Sequence, residues 1–546
     1  MNKIKNFLFC LLIPFIAFSQ NNNEDKSFEL SKNLEIFSSA YRTLHTTYVD
    51  DIQSGDLIKT AIDAMLAKLD PYTNFFPESD MEDVKMQMLG QYGGIGALIH
   101  QKDDKVYISE PFEGMPAYEA GLRAGDVILE VNGMNAKDKT SEQITNVLRG
   151  QAGSDITVKI DRGGKTIETK FKRKEVKFPN VPYYGVVGGN IGYIKLNEFT
   201  PEAGNHVAEA FRTLKTKNSI AGLIIDLRGN GGGLLNEAVN IVNIFVEKGQ
   251  FIVSTKGKIK NRDQSYKTQL QPIDTNIPII VLVDNYSASA SEIVAGSLQD
   301  LDRAVIMGQK TIGKGLVQNI IPLLYNAQMK VTVAKYYIPS GRCVQAIDYS
   351  HRNRDGKAEK IPDSLRTAFR TKGGRTVYDG LGIEPDVLTE SKWAPDVAIS
   401  IITKYLAFDY ATEYVKKHPQ PVSVKDFTIT DAIYNDFLSF LKDKDFSYKT
   451  HLEYRLEDLK KIAEEEKSEE STLEAIELLQ QKVKEDKDDA IHRFKEDIKS
   501  ILLAEIIVRY HNQKGRIEAL LPYDEQVGEA IKLLHDSAAY KKILKP

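Results

Sequence analysis

The sequence predicts a multidomain protein that combines α/β and α+β folds, with helical regions at both ends. Near the N-terminus, apolar residues such as Leu30, Leu34 and Phe37 recur at helical spacing. Within residues 177–392, short apolar runs typical of buried strands alternate with amphipathic segments typical of helices. From residue 395 onward, glycine is scarce and Glu, Lys, Leu and Ala dominate, as in long helices.

Residues 1–20 are predicted to be a signal peptide. Two lysines precede an apolar run that is too short for a comfortable membrane span. We therefore expect cleavage near Ser19 or Gln20 and a protein that is periplasmic or otherwise exported. Cleavage would remove Cys10 and leave Cys343 as the single cysteine, so no intrachain disulfide is expected. The formal charge of −4 provides no basic field that would favour nucleic acid.

Four regions follow the signal peptide. Residues 21–90 are predicted to be helical. Residues 91–176 begin with a glycine-rich loop at residues 92–99, which runs into a strand, and continue as short strands separated by turns. Residues 177–392 have the strand–helix–strand rhythm of a sheet with helices on its faces. Residues 393–546 are predicted to form a helical domain.

Residues 285–295, Asn-Tyr-Ser-Ala-Ser-Ala-Ser-Glu-Ile-Val-Ala, form the most informative motif. They follow an apolar run at residues 277–283 that is typical of a buried strand, and they lead into a predicted helix. Small residues at such a turn can expose a serine hydroxyl beside unpaired backbone N–H groups, as an acyl-transfer nucleophile requires. Local composition does not choose among Ser287, Ser289 and Ser291.

A lysine with glycines on both sides follows the serine motif. Lys314 stands between Gly313 and Gly315, 25 residues after Ser289. Serine and lysine can form a catalytic dyad without histidine, but the lysine must then be a neutral amine. Its reference pKa is about 10.4, so burial has to lower that pKa by several units. If this segment is helical, Gln318 shares a face with Lys314 and could orient its amine.

An acyl-transfer site also needs two donors for the oxyanion. The backbone N–H of Ala290, next to Ser289, is one candidate. Residues 226–233, Asp-Leu-Arg-Gly-Asn-Gly-Gly-Gly, leave a buried strand, and their glycines allow backbone amides to approach a substrate. Gly231 or Gly232 is therefore the candidate for the second donor.

Other interpretations compete with the catalytic one. Ser289 and Glu292 fit a capping box, and Asp226 and Arg228 could be a buried pair at a strand end. Residues 308–315 nearly match the phosphate loop G-x-x-x-x-G-K-[ST], but the last position is glycine, which has no hydroxyl for magnesium. No H-E-x-x-H motif supports a zinc peptidase, and no metal, nucleotide or other cofactor is expected.

Together these motifs resemble the C-terminal processing peptidases, the tail-specific protease group of serine peptidases, over roughly residues 30–390. The resemblance implies that Ser289 is the nucleophile, that Lys314 is the base and that Gln318 orients Lys314. The segments that carry it are Ser-Ala-Ser-Glu at 289–292, Gly-Lys-Gly at 313–315 with Gln318, the glycine-rich loop at 226–233, Tyr-Tyr-Ile-Pro-Ser-Gly-Arg at 336–342 and residues 379–386. Cys343 departs from the pattern, in which a small polar residue is expected.

Residues 116–133 resemble the pattern of bacterial PDZ domains, which add a ligand strand to their own sheet edge. The resemblance implies a receiving strand at residues 97–100 and a loop of backbone amides that holds the ligand's terminal carboxylate. The residues implied to bind a peptide C-terminus are Gly93, Gly94, Ile95 and Gly96 in the loop, and Ile144 and Val147 on a helix that starts near Ser141.

The predicted function is that of an exported serine endopeptidase that captures the free C-terminus of a protein or peptide substrate through its PDZ domain. An adaptor protein is a possible further partner. The alternative is a catalytically silent PDZ scaffold that binds C-terminal peptides.

Overall fold

The computed structural model of the protein describes residues 22–80, 91–390 and 394–545. The predicted signal peptide lies outside the described residues. Across these ranges, no helix combines the length and the apolar character that a membrane span requires.

The chain divides into two compact units, residues 1–71 and 72–546. The first unit contains helices α1 (Asn22–Thr47) and α2 (Ser54–Leu66), which the helical spacing of the apolar residues predicted correctly. The hydroxyl of Tyr41 on α1 donates to the carbonyl oxygen of Ser54 at 2.9 Å and joins the two helices.

The second unit begins with a strand where the sequence predicted helix. Strand β1 (Asn74–Phe76) is followed by a 3-10 turn, Glu78–Asp80. β1 pairs antiparallel with residues 328–330, far along the chain. The helical prediction for all of residues 21–90 is therefore wrong at this point, because a non-local pairing sets the conformation.

A small domain of antiparallel strands follows, with one six-stranded sheet and a separate two-stranded sheet. Its elements are β2 (Gln91–Gly94), β3 (Ala97–Lys102), β4 (Lys105–Pro111), α3 (Pro116–Glu119), β5 (Val127–Val131), β6 (Met134–Asn135), α4 (Ser141–Leu148), β7 (Asp155–Arg162), β8 (Lys165–Lys172) and β9 (Lys174–Lys177). The strand order is β3-β4-β5-β7-β8, with β6 on β5, so β3 is an edge strand. Alternate residues of β4 and β7, such as Val106, Ile108, Val158 and Ile160, form its core.

The central region alternates strands and helices, as the sequence predicted. Its elements are β10 (Tyr183–Val187), β11 (Ile191–Lys195), α5 (Ala203–Asn218), β12 (Gly222–Asp226), α6 (Leu235–Asn243), β13 (Phe251–Gly257), β14 (Gln264–Lys267), β15 (Ile279–Val283), α7 (Ala290–Asp300), β16 (Val305–Gly308), β17 (Leu316–Pro322), β18 (Gln328–Tyr337), β19 (Ile347–Arg352), β20 (Ala358–Lys360), β21 (Ala368–Arg370), β22 (Thr376–Tyr378) and β23 (Val387–Leu388). Short 3-10 turns lie at Lys260–Arg262 and Asp363–Leu365.

The main sheet of this region has the order β10-β11-β12-β15-β16-β23 and is parallel except for β10. Side chains alternate between its two faces. One face, with Ile225 and Val281, packs against α5, α6 and α7. A second sheet contains β1, β13, β14, β17 and β18. In the described residues, β17 pairs only with β18.

The last part of the chain is helical, as predicted. Its elements are α8 (Asp396–Thr403), α9 (Leu406–Lys417), α10 (Asp431–Leu441), α11 (His451–Glu465), α12 (Glu470–Arg493), α13 (Lys495–Leu520), a 3-10 turn (Leu521–Tyr523), α14 (Glu525–His535) and α15 (Ser537–Leu544). Helices α8 to α10 and α13 share a core of their own. In contrast, α14 and α15 cover the second face of the main sheet, where Val527 and Leu534 pack with Ile280 and Leu282. Both faces of the parallel sheet are thus buried.

Candidate active site

Ser289 lies in a strained turn between β15 and α7, with φ 56° and ψ −113°. Such a conformation is costly for a residue other than glycine and is typical of turns that present a nucleophile. The two neighbouring serines are fully buried, and their hydroxyls donate to backbone carbonyls, Ser287 to Leu227 and Ser291 to Asn230, each at 2.9 Å. Ser289 is only half-buried. The structure thus separates three serines that composition left equivalent.

The carboxylate of Glu292 connects the serine turn with the lysine segment. Its Oε2 accepts the backbone N–H groups of Ser289 and Lys314, each at 2.8 Å. Its Oε1 accepts the N–H of Gly313 at 2.8 Å and the hydroxyl of Thr311 at 2.6 Å. Because both nitrogens lie 2.8 Å from the same oxygen, the distance between them is at most twice that value.

Glu292 is buried completely, and this burial raises the pKa of its carboxyl, while the four donors act in the opposite direction. The Ser-x-x-Glu motif predicted the bond from Ser289, which is one half of a capping box. The motif did not reveal that the same carboxylate also holds residues 311–314, because that contact joins two separate loops.

The ammonium of Lys314 lies over an aromatic ring. Its Nζ is 4.3 Å from the ring centroid of Tyr72, a cation–π distance. Tyr72 also meets Tyr349 edge to face, with 6.1 Å between the ring centroids. Sequence reasoning missed Tyr72, since nothing in its local sequence indicates that this residue, two positions before β1, lies at the lysine.

Gln318 lies on strand β17, so the condition that this segment is helical, under which Gln318 would share a face with Lys314, is not met. The segment is extended because β17 pairs with β18 along its whole length. The register shifts between Val317 and Gln318, and such a bulge re-aims a side chain. The side-chain amide of Gln318 donates to the hydroxyl of Thr332 at 3.2 Å.

The glycine-rich loop packs directly on the serine turn. A Cβ added to Gly232 would lie 2.8 Å from Ser289 Cβ and 2.9 Å from the nitrogen of Ala290, so no side chain fits there. Ala290 is the first residue of α7, where an N–H has no partner inside the helix. The N–H of Gly232 donates to Asn230 Oδ1 at 2.9 Å, whereas Gly231 is exposed. The structure therefore brings Ser289, Ala290 and Gly232, three of the predicted site residues, into contact.

Asp284, at the end of β15, holds the other side of the serine turn. Its carboxylate accepts the N–H of Gly229 at 3.0 Å and the N–H groups of Tyr286 and Ser287, also at 3.0 Å. The expected buried pair is present as well, with Arg228 Nη2 2.7 Å from Asp226 Oδ2. The sequence analysis did not identify Asp284, because an aspartate at the end of a strand is common and does not by itself indicate a site.

Residues 308–315 do not form a phosphate loop. A phosphate loop leads into a helix whose N-terminal N–H groups bind the phosphate. Here the segment leads into strand β17, and the N–H groups of Gly313 and Lys314 already donate to Glu292. This geometry removes the nucleotide-binding interpretation.

The first part of the predicted peptide-binding loop is a strand in the structure. Gly93 and Gly94 belong to strand β2, which pairs with β9, and a Cβ on Gly93 would clash with the carbonyl of Gly150. The side chains of Ile95, 3% exposed, and Ile144, 0% exposed, belong to the core of this domain. Both are apolar enough to be drawn into the interior, a preference that the motif does not reveal.

Other elements of the predicted groove remain accessible. Strand β3, the proposed receiving strand, lies at the edge of its sheet, and Leu98 on it is 45% exposed. Val147 on α4 is half-buried, whereas Gly96 is buried and has a φ of 70°. The side chain of Gln101 on β3 accepts the N–H of Ser141, which joins the strand to the start of α4.

Comparisons with known proteins agree with this architecture. Residues 190–350 match Peptidase family S41, and residues 93–172 match the PDZ domain. Residues 16–79 match the Activating protease CtpB N-terminal domain. Residues 397–534 match the C-terminal helical domain of a probable PDZ-protease.

A Carboxy-terminal-processing protease of Bartonella bacilliformis is 36% identical over 346 residues, which cover 62% of this chain and 78% of that protein. The chain belongs to peptidase family S41. A Probable CtpA-like serine protease of Staphylococcus aureus is 33% identical over 57% of this S41 peptidase and 62% of its own length. The solved Photosystem II D1 C-terminal processing protease is 27% identical, with a TM-score of 0.36, over 66% of this chain and 93% of that chain.

These comparisons confirm the predicted family and fold class. The S41 peptidase is a serine endopeptidase with a helical N-terminal region, a PDZ domain, an α/β peptidase core and a C-terminal helical domain.

Proposed function

We propose that this S41 peptidase cleaves protein substrates with a Ser289–Lys314 dyad after capturing their free C-termini. The shared bond of Ser289 and Lys314 to one oxygen of Glu292 carries this proposal, because it fixes the nucleophile segment beside the base segment. The strain at Ser289 and the close packing of Gly232 support it.

In the proposed reaction, Ser289 Oγ attacks the carbonyl carbon of the scissile peptide bond, and Lys314 Nζ accepts the hydroxyl proton. The carbon–nitrogen bond then breaks, and Lys314 returns the proton to the leaving amine. Water, deprotonated by Lys314, then attacks the ester carbon, the bond between that carbon and Ser289 Oγ breaks, and Lys314 returns the proton to Oγ. Gln318 orients Lys314 in this scheme, although from a strand rather than from a helix.

The proposed oxyanion donors are the N–H groups of Ala290 and Gly231. Ala290 follows the nucleophile and begins α7. Gly231 is preferred over Gly232, since the N–H of Gly232 already donates to Asn230. No step of this scheme requires a metal or a nucleotide.

The PDZ domain is proposed to add the substrate's C-terminal segment to the free edge of β3, between this strand and α4. Gly96 and its neighbours would hold the carboxylate, and Val147 would contact the peptide side chains. A cleaved signal peptide would place the enzyme in the periplasm, where exported proteins and an adaptor could meet it.

Substitution of the dyad tests this proposal. Ser289→Ala and Lys314→Ala should each abolish cleavage of an unfolded reporter protein with a free C-terminus, while the circular dichroism spectrum stays unchanged. The controls are Ser287→Ala, which loses the hydroxyl's bonds to Asp284 N–H and the Leu227 carbonyl, and Ser291→Ala, which loses one bond. Each lost bond costs about 1 kcal/mol of stability, and both variants keep the nucleophile. Normal turnover by purified Ser289→Ala would refute the assignment.

The alternative of a silent PDZ scaffold predicts binding without hydrolysis. A reporter that binds with its free C-terminus and stays uncleaved by the wild-type protein would favour this alternative.

A further inference from the structure

The C-terminal helices reach the loop that leads to the proposed nucleophile. The Arg228 guanidinium, at the start of that loop, donates to Asp524 Oδ2 and to Gln526 Oε1, each at 2.7 Å. A third bond, from Nη1 to Asp524 Oδ1, measures 3.1 Å. Asp524 also accepts the N–H of Val527 at 3.0 Å and so caps α14. The cap gives the Asp524 side chain a defined orientation towards Arg228.

Asp226 holds the opposite side of Arg228. Its oxygens accept Arg228 Nε at 3.0 Å and Nη2 at 2.7 Å. Lys195 Nζ lies 3.3 Å from Asp226 Oδ1 and donates to the carbonyl oxygen of Arg228 at 2.6 Å. The cluster thus contains two cations and two carboxylates, and Asp524 supplies the charge that balances it. Removing that charge would leave a partly buried positive excess.

Arg228 directly precedes the backbone that turns towards Ser289. Gly229 is held by Asp284, and Gly232 packs against Ser289. Gly231, the proposed second oxyanion donor, lies between them. Because this short loop is held at both ends, a shift of Arg228 would displace its N–H groups, and small displacements at a reacting carbonyl are costly.

The helices that carry Asp524 and Gln526 are themselves fixed to the main sheet. Val527 is buried against that sheet. On α15, the Tyr540 hydroxyl donates to the carbonyl oxygen of Ile279 and accepts its N–H, both at 2.9 Å. These contacts fix the position of α14 on the sheet and therefore the position of Asp524 beside Arg228.

We infer that Asp524 and Gln526 are positioning residues for the glycine-rich loop, so that the C-terminal helices contribute to catalysis through Arg228. The catalytic part of this inference rests on the proposed function. The effect on the loop can be measured without any activity.

The test compares Asp524→Asn with Glu529→Gln in the full-length protein. Asn keeps the size of the side chain but removes the charge, and Glu529 is an exposed carboxylate on the same helix. Hydrogen–deuterium exchange of a peptide spanning residues 228–234 reports the order of the loop. Steady-state kinetics and inhibition by a peptide aldehyde, whose adduct places an oxyanion in the site, report its function.

We expect Asp524→Asn to speed exchange in residues 228–234 severalfold and to lower kcat about tenfold, with KM within twofold of the wild-type value. The aldehyde should bind more weakly by a similar factor, and Asp524→Glu should restore part of kcat. Glu529→Gln should match the wild type in every assay. Unchanged exchange in Asp524→Asn, or a lower kcat with unchanged aldehyde affinity, would overturn the inference. If the wild type shows no Ser289-dependent cleavage, the proposed function fails, and the exchange result alone decides whether Asp524 positions the loop.

Discussion

Ser289 and Lys314 donate their backbone N–H groups to the same oxygen of Glu292, each at 2.8 Å. This shared acceptor connects a strand-to-helix turn with a loop that enters an edge strand. The geometry of the proposed dyad therefore depends on a third residue, and the first prediction concerns that residue.

Replacing Glu292 with Gln should lower kcat at least about tenfold. The glutamine amide has one oxygen and one NH2 group, and the NH2 group cannot accept a hydrogen bond. It would therefore face two donors, either those of Ser289 and Lys314 or those of Gly313 and Thr311. Each hydrogen bond lost in this way costs about 1–3 kcal/mol. Peptidase kinetics and thermal unfolding would measure the two effects. Thr311→Val is the control, since it removes one donor to Oε1 and the acceptor of the Ile383 N–H but leaves the Oε2 bonds in place. It should lower the stability and keep most of kcat. A wild-type kcat in Glu292→Gln would contradict the prediction.

Replacing Tyr72 with Leu should move the pH profile of kcat/KM to lower pH. The ring stabilises the ammonium of Lys314 by about 0.5–1 kcal/mol, so losing it should favour the neutral amine. Tyr72→Phe keeps the ring and should leave the profile unchanged. Profiles from pH 6 to 10 would measure the shift. Superimposable curves for Tyr72→Leu and the wild type would argue against the cation–π contact.

Amidating a substrate's C-terminus should weaken its capture about tenfold or more, because the amide removes the charge that backbone N–H groups would hold. Fluorescence anisotropy on the Ser289→Ala protein measures binding without cleavage. Val147→Lys should weaken binding as well, whereas Ile144→Val should cost about 0.5–1.5 kcal/mol of stability and leave affinity within twofold. Equal affinity for acid and amide peptides would show that the loop does not recognise the carboxylate.

The Asp226 carboxyl should make the protein sensitive to acid. Burial opposes its ionisation, but the Arg228 guanidinium and the Lys195 ammonium hold the pKa of Asp226 below its usual value of about 3.9. A carboxyl whose pKa is lower in the folded state stabilises that state at any pH above its unfolded-state pKa. This stabilisation is lost as the pH falls towards the folded-state pKa.

The thermal unfolding midpoint of the wild type should therefore drop more steeply between pH 5 and pH 2.5 than that of Asp226→Asn. Glu529→Gln, an exposed change, should follow the wild type. Parallel curves for the wild type and Asp226→Asn would disprove a contribution from this pair.

Local chemistry made much of this molecule predictable. Continuous apolar runs and helical spacing identified the strands and helices around Ser289, because a parallel strand is buried on both faces whereas a surface helix is buried on one. Small residues and glycines indicated the serine turn and the loop at residues 226–233, since their close packing requires side chains of minimal size.

Contacts between distant segments were beyond the reach of such patterns. Strand β1 was predicted as helix, and a helix was considered for the segment of Gln318, yet both segments are extended because each pairs with β18. Tyr72 at Lys314, Glu292 between two loops and Asp524 at Arg228 likewise depend on side chains that meet only after the sheets assemble. A residue's own neighbours set its backbone preference, but the partner that satisfies its charge or hydrogen bond is chosen by the packing of the whole fold.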